Sequence, residues 1–503
     1  MSSNQENLLK NNLDEVKTNG YQEKLTKENL DKYRARGYSE VLLPKTTEKR
    51  NSSLKDYFTL WMGNLHNIPN YASVGGFLVL GLAPINVMLA LIVGAITVGI
   101  LFAYQGKFGS KYGLPFSMHL RSAYGERGAK LPGTLRGIIA AIGWFGLQTY
   151  VGSQALLILV AEIWPGILEI GGDTMLLGIS IPGLIMFILF WLLNVVLGMG
   201  ETDFLNKFNT ILTVLIYVLF VAMAFWGLRV GGGFGNILSY AADSSVSTPT
   251  ILGYLLVINA VLGFWAAPVA SVSDNTQNAE STDAQMKGQI IGVVVGYLVF
   301  AVTSMTILIG ATIHYGVEQW DVLEIINRWD SLPAIFFATL VLLLITINSN
   351  VVANLNPSGF QLAALFPGKI DKKKGVILAA VVGAVILPWK LMENPDSIYS
   401  FLNAVGAALG PIVGVMLYHY YVIDEQEVDL DELLYDLNDK DSKNKYRGTN
   451  VNAIVATLIG MAVALIGNFI PALSLLSQLS WISGFIAAVV SYALLMKFRS
   501  EEN

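Results

Sequence analysis

Asn64-Leu-His66-Asn67-Ile-Pro69-Asn70 places three asparagines, a histidine and a proline inside a run otherwise apolar enough to cross a bilayer. Pro69 removes a backbone donor and clashes with the preceding turn, so a membrane helix must open there, where protein, an ion or a ligand satisfies the freed groups. Carbonyls of an unwound segment suit a hard cation, and its amides suit a polar substrate. The competing reading is an asparagine-rich kink held by neighbouring helices. His66 by itself decides nothing, because one histidine can do no more than satisfy a carbonyl.

Three further clusters carry the same kind of chemistry. Trp144-Phe-Gly-Leu-Gln148 sets an indole and a carboxamide four residues apart, on one helical surface, where Gln148 can both donate to and accept from a planar cargo; an interfacial tryptophan with a packing glutamine is the plainer alternative. Gly263-Phe264-Trp265-Ala-Ala-Pro268 supplies a second indole beside a second proline, so two tryptophans can sandwich a flat ring while Gln148 meets its edge. Ile345-Thr-Ile-Asn348-Ser349-Asn350-Val-Val-Ala-Asn354 puts Asn350 and Asn354 on one face and Asn348 and Ser349 on another. A neutral amide suits an uncharged substrate, and the oxygens of Asn348 and Ser349 suit a cation; interhelical amide bonding is the alternative. Asp274 and Glu162 read as solvated helix-end charges.

The elements that position these groups follow from composition. The chain has 503 residues, 53% hydrophobic and 14% charged, with mean hydropathy +0.54. Its apolar runs repeatedly exceed the roughly 20 residues that span a bilayer. Twelve spans are expected, near 57–80, 84–104, 132–162, 175–198, 208–228, 250–273, 288–313, 332–355, 374–390, 398–421, 451–470 and 475–496. Spans one and six are the interrupted pair. They hold corresponding places in two groups of five, the order of an inverted-repeat transporter core. The expected divisions are a cytoplasmic tail (1–56), a first five-helix repeat (57–228), a second (250–421), an acidic cytoplasmic linker (422–449), and two accessory helices with the C-terminal tail (450–503).

With the N-terminus cytoplasmic, all of the 32 Lys and Arg except Arg229, Arg328 and Lys390 fall on or beside cytoplasmic segments. That asymmetry places both termini inside a multi-pass protein of the cytoplasmic membrane. The net charge of −5 gives no reason for a nucleic-acid partner, and the first 56 residues lack the apolar region of a signal peptide. There are no cysteines, and the four histidines are scattered without metal-ligand spacing. No GxSxG element or histidine–carboxylate cluster points to an enzyme, and no attached signalling domain points to a receptor. The partners expected are therefore a small-molecule substrate and the lipid bilayer, with no obligate protein partner.

The runs LWMGNLHNIPNYASVGGF from Leu60, KYGLPF from Lys111, the Trp144/Gln148 pair, GFWA from Gly263, NVVANLNP from Asn350 and PWKLMENPDSIYSFL from Pro388 resemble the nucleobase:cation symporter-1 family, most closely its bacterial allantoin-permease branch. The resemblance covers about residues 55 to 499. It implies an all-α fold of twelve helices, two inverted five-helix repeats plus two, importing ureides, hydantoins or nucleobases by alternating access. It also implies a stacking pair, Trp144 and Trp265, flanked by Phe264, with Gln148, Asn354 and Asn67 bonding the substrate. The family's sodium site would correspond to the carbonyls of Gly63, His66 and Ile345 with the side chains of Asn348 and Ser349.

Two departures accompany the resemblance. Sodium-type relatives carry two adjacent hydroxyl residues where this chain has Asn348-Ser349, which leaves Na+ or H+ as the coupling cation; no other cofactor is implied. After span six, relatives read close to NIPDFTRF and this chain reads Ser271-Val-Ser-Asp274-Asn-Thr-Gln-Asn278. Allantoin is the first expected substrate, with cytosine, purine, uracil, thiamine or hydantoin as alternatives and an amino acid as a more distant one.

Overall fold

The computed structural model describes residues 27–200, 203–241, 248–366, 369–392, 395–439 and 443–502. The first 26 residues of the expected tail, and residues 242–247 between spans five and six, lie outside the described residues. The helices that build the membrane body are α1 (Leu54–Leu65), α2 (Ile68–Val79), α3 (Pro84–Gln105), α4 (Ala141–Ile163), α5 (Ile181–Met199), α6 (Asp203–Val230), α7 (Thr250–Ala270), α8 (Thr282–Tyr315), α9 (Leu332–Asn350), α10 (Asn356–Leu365), α11 (Lys372–Val385), α12 (Pro395–Tyr418), α13 (Val451–Leu465) and α14 (Ser480–Glu502).

Ten helical stretches among the described residues are long and apolar enough to cross a membrane. The other two expected places hold the divided span one and the 14-residue α11, so length alone does not give twelve crossings. On α3 the side chains of Ile85, Leu89, Val93, Ile96 and Ile100 are exposed at helical spacing, an apolar stripe with no protein cover. Water would not tolerate this face, and hydrocarbon does.

Local sequence sets the helix starts. Proline lies in the first turn of α2, α3, α5, α9 and α10, where its missing N–H costs nothing. Asn67, Ser180, Ser281, Asp371 and Asn450 cap α2, α5, α8, α11 and α13 with side-chain acceptors. Span four begins later than expected, because residues 175–180 form a short hairpin of β1 (Met175–Leu176) and β2 (Ile179–Ser180).

Around the core, α8 packs on α1, α3 and α6, α7 on α3 and α12, and α9 on α4 and α6. The last pair, α13 and α14, packs on α12. A second apolar cluster lies at one end of the bundle. Here Leu30, Tyr33, Tyr38 and Leu43 of the N-terminal segment meet Tyr112, Leu433 and Tyr435, so the tail and the acidic linker pack together. Arg50 is buried there and donates to the carbonyls of Ala279 and Ser110. Burial lowers its guanidinium pKa to about 10.

Candidate functional site

Span one breaks where its sequence requires. α1 ends at Leu65, Asn67 is extended (φ −136°, ψ 156°), and α2 starts at Ile68. Asn67 holds both broken ends. Its Oδ1 accepts the Asn70 amide at 3.0 Å, and its Nδ2 donates to the Asn64 carbonyl at 3.0 Å. Asn70 Nδ2 donates to the Leu65 carbonyl at 2.8 Å. His66 turns its ring away from the break, fully buried among Tyr71, Tyr217, Phe220 and Phe300, with Nδ1 2.8 Å from the Tyr71 hydroxyl.

Span six differs from expectation. α7 runs without interruption through Trp265 and Pro268 to Ala270, and the turn comes only at Ser271 and Val272, before a short helix at Ser273–Thr276. Trp265 therefore stands on a regular helix. Pro268 still leaves the carbonyl of residue 264 without its helical donor. The Ala267 carbonyl keeps its helical donor, the Ser271 amide at 3.2 Å, and Arg136 adds a second bond there, its Nε donating to the Ala267 carbonyl at 2.8 Å and to Ser271 Oγ at 3.0 Å.

Span eight differs as well. A π-helical turn at Val351–Leu355 separates α9 from α10. The wider turn brings Ser349 and Asn354, five residues apart, to one cavity, while Asn350 turns into the helix interface. Asn350 Nδ2 there donates to the Phe145 carbonyl, Thr149 Oγ1 and Asn194 Oδ1 at 3.0–3.3 Å. The expected sharing of a face by Asn350 and Asn354 survives as one bond, Asn354 Nδ2 to Asn350 Oδ1 at 3.1 Å.

These elements enclose a cavity of about 250 Å3. Asn67, Trp144, Gln148, Phe264, Trp265, Ser349 and Asn354 all line it. The two indoles share the cavity without touching. Phe264 lies between them, 4.8 Å from Trp144 and 5.7 Å from Trp265, centroid to centroid. Trp265 Nε1 donates to Tyr297 Oη at 2.7 Å, which fixes its ring. Across from it, Gln148 Oε1 accepts from Ser349 Oγ at 3.2 Å, leaving the amide nitrogen for the cavity. Asn354 is held the opposite way, through its nitrogen, leaving its oxygen.

Of the five residues expected at a cation site, the structure gives Ser349 to the cavity and to Gln148. Asn348 and Ile345 are buried in α9, and Gly63 packs against Thr213 of α6.

Trp61, Arg136 and Asp274 line the same cavity and were not expected there. Trp61 stacks on Phe102 at 4.0 Å and meets Trp265 edge-on at 5.6 Å. Asp274 accepts the Phe116 amide at 2.9 Å. Surrounding protein pushes its carboxyl above the usual range, and the Phe116 amide and Arg136 draw it back. Arg136 carried the plainer signal, since a charge within an apolar span marks a functional position by default.

Residues 44–484 match the model of the permeases for cytosine/purines, uracil, thiamine and allantoin. The chain belongs to this family. A provisionally named allantoin permease of Escherichia coli is 49% identical over 92% of this chain and 95% of its own length. The allantoin permease of Bacillus subtilis is 35% identical over 90% and 92%. The inward-facing structure of Mhp1 aligns with a TM-score of 0.75 at 22% identity, over 92% of the permease and 94% of Mhp1. This last likeness is one of fold.

Proposed function

We propose that this permease imports a neutral cyclic ureide, allantoin first, by cation-coupled alternating access across the cytoplasmic membrane. The observation that carries the reading is the opposed pair of carboxamides. Gln148, held through its oxygen, offers N–H donors, and Asn354, held through its nitrogen, offers a carbonyl acceptor, so together they complement the C=O and N–H of one ureide edge. Trp144, Phe264 and Trp265 supply the flat apolar walls such a ring needs. The names of the two bacterial relatives favour allantoin within that class.

The cavity runs from the break in span one past Leu60, Arg136, Ser271, Asp274 and Asn275, toward the end of the bundle where the N-terminal strap and the linker pack. The Lys and Arg asymmetry makes that end cytoplasmic and puts both termini inside. In this reading residues 57–228 and 250–421 are the two five-helix repeats that rock around the site, and 450–503 are accessory. Na+ would sit near Gly63, His66, Ile345, Asn348 and Ser349; H+ is the other candidate ion.

Uptake of radiolabelled allantoin into proteoliposomes tests the reading. Saturable import is expected, competed by hydantoins more than by cytosine, uracil or amino acids, and abolished by Trp144→Ala or Asn354→Ala. Normal import by both variants would remove the site. Sodium against choline buffer at fixed pH, followed by an imposed pH gradient, identifies the ion, and indifference to both would remove the coupling.

A further inference from the structure

In the lining of the aromatic cavity stand two opposite charges that form no ion pair. Arg136 lies in a π-helical stretch, Leu135–Ala140, within an apolar span, and is 6% exposed. Its Nε is committed to the Ala267 carbonyl and Ser271, which pins the guanidinium to the end of α7. Its two terminal nitrogens make no hydrogen bond to any described residue. Asp274 is committed through Oδ1 to the Phe116 amide, and Oδ2 makes no such bond. Both residues line the cavity, and they form no ion pair with each other or with any other described residue.

Arg136 is buried, where a charge is costly unless paired or used, while Asp274 is exposed at the wall of the cavity. Each group is tied to a different piece of backbone, Arg136 to the Ala267 carbonyl and Asp274 to the Phe116 amide. The arrangement keeps a forked double donor and a strong acceptor both turned on one space. A molecule that satisfies both must present a carbonyl oxygen and an N–H together and carry no net charge. An anion would meet Arg136 favourably and Asp274 unfavourably, and a cation the reverse.

We propose that Arg136 and Asp274 form a second polar station on the transport path, inward of the aromatic site, which binds the carbonyl and N–H of a departing neutral ureide and selects against net charge. The inference rests on the ureide reading above and adds specificity-determining residues to it. Arg136 also fastens span three to span six, so loss of activity on its removal would not separate a binding role from a fastening one. The ratio of two cargoes does.

The experiment compares uptake of hydantoin with uptake of its ring-opened anion, N-carbamoylglycine, by full-length protein in proteoliposomes. Asp274→Asn should raise the anion-to-neutral ratio about tenfold, the worth of one charge-assisted interaction. Arg136→Gln should lower that ratio, and Arg136→Lys, which keeps the charge but loses the fork, should leave the ratio near that of the unaltered protein while slowing exchange. Asp274→Asn and Arg136→Gln variants that change total uptake but hold the ratio within about twofold would overturn the station and leave only a helix fastener. Should Arg136→Gln fail to fold, Asp274→Asn alone still decides, because an unchanged ratio there overturns the proposal. Failure of the unaltered protein to take up either hydantoin or allantoin would instead strike the ureide reading.

Discussion

Ser349 and Gln148 are joined at the cavity, the serine hydroxyl shared between the glutamine oxygen and the Thr346 carbonyl, each at 3.2 Å. From sequence, Ser349 belongs with the coupling ion; in the structure it orients a carboxamide of the candidate substrate site. Ser349→Ala frees Gln148 to rotate, and about 1 kcal/mol of one neutral hydrogen bond corresponds to roughly a fivefold rise in KM for ureide uptake. Gln148→Ala should cost more, and the double variant should cost no more than Gln148→Ala alone. Additive losses in that cycle would show the two acting separately.

Asn67 divides its amide between the two halves of span one. Replacing it by alanine removes the cap of α2 and should lower stability by about 1 kcal/mol, seen as a lower thermal midpoint of the detergent-solubilised protein. Asn67→Asp keeps an oxygen for the Asn70 amide and should hold the midpoint, while losing the Nδ2 bond to the Asn64 carbonyl. Ureide affinity falling in both variants would assign the amide nitrogen to the cargo as well. Retained affinity in Asn67→Asp would confine the residue to the helix break.

Much of this site was legible in the chain, and the misses have definite physical causes. Pro69 broke span one because asparagines stood on both sides to take up the freed groups. Pro268 did not break span six at Trp265, because α7 is packed on α3 and α12. A proline removes one donor, and a well-packed helix continues through it. The faces of span eight were assigned on a 3.6-residue period, which a π-turn breaks without any mark in the sequence. Arg136 is a charge within a span whose position near the start of that span also fits the cytoplasmic bias of Lys and Arg.

Gly227 and Gly310 let α6 and α8 touch backbone to backbone. A Cβ on Gly310 would come 2.2 Å from the Gly227 carbonyl oxygen, and one on Gly227 would come 2.2 Å from the Thr306 carbonyl oxygen. Neither contact can be relieved by a rotamer, since backbone stands on the other side. Gly310→Ala should therefore force the helices apart and cost about 1–3 kcal/mol, measured as a lower melting midpoint. Gly235, with nothing near its Cβ position, is the control that should tolerate alanine.

Asp424 begins the acidic linker, and its burial raises its carboxyl to about 7, against a partial opposing pull from Lys445. Its Oδ2 lies 3.5 Å from His419 Nε2, and the Asp424 amide donates to the His419 carbonyl at 2.8 Å, so the turn after α12 is built around this carboxyl. An acid raised on folding favours the folded state while protonated. The contribution is thus complete below the ordinary aspartate range and disappears as pH rises through about 7. Hydrogen exchange of residues 424–439 and 443–446, corrected for intrinsic rates, should accelerate between about pH 5 and pH 8, on either side of that value. Asp424→Asn carries no charge at any of these pH values and should flatten the profile. An unaltered protein with a flat profile would mean that the linker docks without regard to this carboxyl.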